Sequence, residues 1–137
     1  MKPAVVHSTW IVLLHVLINV VHGVAHAKLH IGLNSSDKVF VLVVVLVSPF
    51  LALAALFGRQ LKLGLILLAV SMGCSLVFGL CKHYFLPGPD RIGGQPPDLW
   101  GHLFVITAVL LALIECLGML VGVHFLRSFT ASSRSPS

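Results

Sequence analysis

Charge is what this sequence has least of. Only 9% of its 137 residues are Asp, Glu, Lys or Arg, against about a quarter in soluble domains. Four are acidic: Asp37, Asp90, Asp98 and Glu115. A chain so poor in charge cannot clothe a water-facing surface, and its mean hydropathy is +1.04. Cysteine is sparse as well. Cys74, Cys81 and Cys116 fall inside apolar runs at spacings that match no zinc or disulfide framework, so they read as small buried hydrophobes. No nucleophile–base constellation, phosphate loop or nucleotide motif occurs, and no CxxCH attaches haem covalently. These absences give no warrant for an enzyme. The formal net charge of +5 does not indicate nucleic acid, because Lys and Arg lie mostly at the ends of apolar runs, where they set topology and meet lipid headgroups.

What is present is apolar length. A bilayer-spanning helix needs about 20 mainly apolar residues, and four stretches qualify: residues 4–31, 39–57, 63–84 and 100–126. The expected fold is an all-α integral membrane protein, a four-transmembrane-helix antiparallel bundle. It forms one domain over residues 1–127, with a polar, disordered tail at 128–137. The lipid bilayer is then the first partner. The segment "GLNSSDK" carries turn chemistry and a helix start at Ser36 or Asp37. Pro49 is expected to kink the second span. "GRQLK" makes a tight basic turn, and "FLPGPDRIGGQPPD", residues 85–98, is the only long loop. Lys2, the first apolar run and "AHA" at 25–27 also resemble a signal peptide with its cleavage site. His15, Asn19 and His22 would interrupt its apolar region, so an uncleaved helix is preferred. Counting Lys and Arg on each side sets orientation. Lys2, Arg59, Lys62, Arg127 and Arg134 oppose Lys28, Lys38, Lys82 and Arg91, which places both termini in the cytoplasm, in a plasma or inner membrane.

Histidine is the compositional oddity, with eight residues. At 100° per residue, His15, Asn19, His22, His26 and His30 fall within an arc of roughly 80°, one stripe along the first helix. Four antiparallel spans would bring His26, His30, His83 and His102 to one level beneath the loop carrying Asp90 and Asp98. Histidines four apart on a helix can chelate one ion. His22/His26 and His26/His30 both qualify, to be completed by His83, His102 or an aspartate; the favoured ligands for zinc or copper, both suited to imidazole, are His26, His30, His83 and His102. A b-type haem held by His22 or His26 with His83 is the competing use. His7 and His124 lie near the opposite face.

Glu115 is the only acidic residue inside a span. It lies roughly 20 Å along the last helix, level with His15, and a carboxylate in hydrocarbon needs a partner. His15, Asn19 and Glu115 form a candidate proton or ion relay, against the plainer reading of a hydrogen bond that glues helices together. The GxxxG pattern at Gly118 and Gly122 allows close helix contact and puts Glu115 between the first and last helices. Ser71 and Ser75 are expected to bond back to their own helix. The favoured function is a small multi-pass membrane protein that binds a transition metal or haem b near the outer face. A non-catalytic accessory subunit of a larger membrane complex is the rival. A small ion or metabolite transporter acting as a homo-oligomer is third.

Overall fold

The structure, a computed structural model, describes residues 2–132, and every regular element among them is helical. Four helices carry the chain: α1, Lys2–Lys28; α2, Ser35–Phe57; α3, Leu61–Phe85; and α4, Leu99–Ser132. Each is long and apolar enough to cross a membrane.

The helix ends follow local chemistry. At the end of α1 the Ile31 amide donates to the His26 carbonyl and the His30 amide to that of Ala27. This is a Schellman cap, and it needs a left-handed residue. His30 supplies it with φ 54°. The end of α2 repeats the pattern: the Gln60 amide donates to Ala55 and the Arg59 amide to Leu56, with Arg59 at φ 64°. Asn34 caps α2 by accepting the Asp37 amide at 2.8 Å, so the helix starts at Ser35, just before the expected Ser36 or Asp37. Asp98 caps α4 through the Gly101 amide, also at 2.8 Å. A β-carbon at Gly101 would lie 1.9 Å from the Pro96 carbonyl oxygen, so only glycine fits there. At its far end α4 continues through Ser132, into the segment expected as a tail. Residues 133–137 lie outside the described residues.

Pro49 has no amide to donate, and the structure meets this upstream of it. Val41–Val47 is wound as a π-helix, and the Ser48 hydroxyl donates to the Val43 carbonyl at 2.8 Å. A second π-turn, Cys81–Phe85, ends α3. Single π-turns inside α-helices often mark functional positions.

α4 packs against both α1 and α3, and α2 packs on α3. α1 meets α2 mainly along its second half, Ser48–Phe57. The glycines of the GxxxG pattern serve mainly the α3–α4 contact. A β-carbon on Gly122 would meet the Ala69 backbone nitrogen at 3.0 Å and the Leu65 carbonyl oxygen at 3.1 Å. One on Gly118 would meet Met72 on α3 at 2.8 Å and Ile11 on α1 at 3.1 Å. One half of the molecule is a dry core built on Ile11, Leu53, Leu65, Leu68, Met72 and Leu111. The other half holds the polar residues and a cavity.

Candidate metal centre

Three histidines converge in the polar half. His22 and His26 come from α1, one turn apart, and His83 from the π-turn that ends α3. One ring nitrogen from each lies within 4.8 Å of the other two. The His22 ring centroid is 4.8 Å from that of His26 and 5.1 Å from that of His83. Phe104 on α4, fully buried, packs against all three rings with centroids 4.8–5.3 Å away. It forms an apolar backstop to the group.

The hydrogen bonds fix which nitrogens are free. His83 Nδ1–H donates to the Asp90 carbonyl oxygen at 2.9 Å. A carbonyl can only accept, so the proton sits on Nδ1 and the Nε2 lone pair is unoccupied. His22 Nδ1 lies 2.8 Å from the Thr107 hydroxyl oxygen. That hydroxyl gives its own proton to the Leu103 carbonyl at 2.6 Å, with Phe104 at 3.1 Å, so it accepts from His22 Nδ1–H. His22 Nε2 is left buried with no partner. His26 Nδ1 and Asp90 Oδ1 stand 3.5 Å apart; neither closes a hydrogen bond, and both are buried. Two ring nitrogens and a carboxylate oxygen of this cluster are therefore buried without a hydrogen-bond partner. Buried polar atoms are rarely left so, and a cation held between the three rings would give the ring nitrogens one.

The expected metal set His26, His30, His83 and His102 is not brought together as a whole; the three that converge are His22, His26 and His83, the residues expected as haem ligands. His22 joins His26 and His83, while His30 and His102 stand apart. α1 ends at Lys28, so His30 is a capping residue, exposed and off the helix, and the His26/His30 pair of helical neighbours does not form. His102 turns back on the start of its own helix, where Nδ1–H donates to the Asp98 carbonyl at 2.6 Å. Thr107 and Phe104 escaped sequence reasoning. Thr107 did carry a signal, since it lies on the helical face of α4 that also holds Glu115, two turns away.

His15 and Glu115 form a second polar pair at the α1–α4 contact. His15 Nε2 and Glu115 Oε1 share a hydrogen bond of 3.2 Å, with both side chains buried. His15 Nδ1 has no partner. Asn19 sits one turn along α1, but its amide donates to the His15 carbonyl at 3.0 Å and not to Glu115. On α3, Ser71 donates to the Leu68 carbonyl at 3.2 Å as expected. Ser75 differs, because its buried hydroxyl has no partner.

A cavity of about 440 Å³ joins the two polar groups. The histidine cluster, Asn19 and Glu115 all line it. Gly79 borders both Glu115 and His83: a β-carbon there would stand 3.9 Å from Glu115 Oε2 and 3.9 Å from the His83 ring. Lys82, also on the lining, pairs with Asp37 of α2 at 2.5 Å. Comparison of the chain with protein-family models, with curated proteins and with solved structures finds no match.

Proposed function

We propose that the chain is a membrane-inserted, antiparallel four-helix bundle that holds one zinc or copper ion on His22, His26 and His83. The observation that carries this reading is the set of orphaned nitrogens. His22 Nε2 is buried without a partner, its ring is oriented by the hydrogen bond on the opposite nitrogen, and one nitrogen of each of the three rings lies within 4.8 Å of the others. Metal-binding histidines are oriented in this way by carbonyl or hydroxyl partners on the second nitrogen. Tetrahedral geometry with Zn–N near 2.0–2.1 Å sets nitrogens about 3.4 Å apart, so a small inward swing of the rings closes the site. Asp90 then stands beside the ion and offsets part of its charge. Three neutral imidazoles with an open fourth position resemble the donor pattern of reactive zinc sites more than the closed pattern of structural ones. A single ion suits the cluster better than haem b. The rings of His22 and His83 touch edge to face, and Phe104 packs against both, which leaves no slot between them for a macrocycle.

The test is a Zn²⁺ or Co²⁺ titration of the purified protein. Replacing His22, His26 or His83 with Ala removes a ligand and is expected to cost more than the 10- to 100-fold typical of lost supporting residues. His30→Ala and His102→Ala should bind as the unaltered protein does. Equal losses at all five positions, or no stoichiometric binding at all, overturn the reading.

A further inference from the structure

The cavity is far larger than an ion needs. At about 440 Å³ it falls within the range of sites that bury an organic ligand. One of its walls is incomplete. α1 packs mainly on the second half of α2, and beside the first half the cavity is lined by Gly23 of α1 and by Val41 and Val45 of α2. A β-carbon on Gly23 would meet nothing within 4 Å. The space therefore runs from the histidine cluster out through the flank of the molecule, between two helices whose outer faces are mostly apolar.

We infer that this cavity takes a membrane amphiphile with an acidic oxygen head group. The head occupies the open position of the ion, and the chain leaves between α1 and α2 past Gly23. The inference rests on the metal reading above. Charge selects the head. A divalent ion on three neutral imidazoles keeps two positive charges, of which Asp90 offsets one. Lys82 is already paired with Asp37 and Glu115 with His15, whereas Lys38, also on the lining, adds a further positive charge. One anionic oxygen group balances what remains beside the ion. A neutral head does not, and an ammonium head is repelled. Val41, Val45 and Phe78 provide apolar contact for the chain. Carboxylate and phosphate heads share this chemistry, so a free fatty acid and an acidic phospholipid are the two possible sources.

The test uses the full chain in neutral detergent, loaded with Zn²⁺. A fluorescent fatty acid, a phosphatidic acid bearing the same label and the matching fatty alcohol are titrated in turn. The better of the two acids identifies the source, and the alcohol should bind at least about tenfold more weakly than that acid. Removing Zn²⁺ should weaken acid binding by a similar factor. Gly23→Leu fills the gap with a side chain that helices favour. It is expected to cost about tenfold in amphiphile affinity while leaving Zn²⁺ affinity within about twofold of the unaltered value, which also shows that the fold is intact. Ala27→Leu, one turn along the same lining, should act likewise. Acid binding that ignores Zn²⁺, equals that of the alcohol or survives both substitutions overturns this inference and leaves the metal reading standing. Failure to bind Zn²⁺ overturns both.

Discussion

His26 and His30 stand four residues apart, yet one points into the cluster and the other faces water. The difference is a backbone angle. At φ 54°, His30 ends the helix, and its side chain leaves the stripe that a straight helix would continue. Left-handed backbone costs an L-residue roughly 1–2 kcal/mol, which glycine avoids. His30→Gly is therefore expected to raise stability by up to about 1 kcal/mol, seen as a higher Tm in detergent, with no change in metal affinity. Thr107 makes the opposite case, a residue distant in sequence whose single oxygen orients a ligand. Thr107→Val keeps the shape but leaves His22 Nδ1–H without an acceptor. It should weaken Zn²⁺ binding about 10- to 100-fold without removing a ligand, as a titration beside His22→Ala would show. The stripe containing His22 and His26 was legible from spacing. The selection among its members was not, because it depends on where α1 stops and on which hydroxyl lies across the bundle.

At the scale of whole helices, the apolar runs located all four elements, missing only the continuation of the last helix through Ser132, because length and hydropathy decide such helices with little help from tertiary contacts. The helix partners were harder to read. Gly118 and Gly122 mark a close approach, but spacing cannot say to which neighbour, and the structure places their tightest contacts on α3. The two glycines also differ in what surrounds them. Gly118 faces the flexible Met72 side chain, whereas Gly122 faces the backbone of Ala69 and Leu65. Gly122→Ala is therefore expected to destabilise more than Gly118→Ala, by about 1–3 kcal/mol as overpacking does. Thermal unfolding of both variants in one detergent checks this, and the reverse order would mean that α3 yields more easily than Met72. The α1–α4 contact depends instead on the His15–Glu115 hydrogen bond. Glu115→Gln retains an acceptor for His15 and should be nearly silent in stability. Glu115→Leu leaves both ring nitrogens buried without partners, at a cost near the 0.6–2 kcal/mol of such bonds in membranes. If the pair also moves protons, Glu115→Gln stops that movement while the fold survives. Proton uptake into vesicles separates this role from simple helix packing.

For the whole molecule, the arrangement of the two halves carries a directional consequence. The outer faces of the helices are mostly apolar: Trp10, Leu17, Val39, Phe57, Val77 and Leu113 are each at least 61% exposed. A surface of that kind suits contact with lipid, in keeping with four helices long and apolar enough to cross a membrane. The cavity and the cluster lie toward the end that carries the Pro- and Gly-rich loop, with the dry core toward the end that carries both termini. All the described acidic side chains except Glu115 lie at the loop end, where Asp37 pairs with Lys82 and Lys28 sits over Trp100 at 5.6 Å. Acidic residues contribute little to membrane orientation, so Lys and Arg decide, at five against four. On that margin we propose that the terminal end faces the cytoplasm and that the cluster opens outward. A chain with Cys74, Cys81 and Cys116 replaced, carrying Gly93→Cys in the long loop, should react with an impermeant maleimide on intact cells. A β-carbon at Gly93 meets nothing within 4 Å, so the substitution should not disturb the loop. The companion Gln60→Cys, exposed in the turn between α2 and α3, should react only after the membrane is opened. The opposite pattern would turn the molecule over, so that the histidine cluster draws its ion from the cytoplasm and any acidic amphiphile from the inner leaflet.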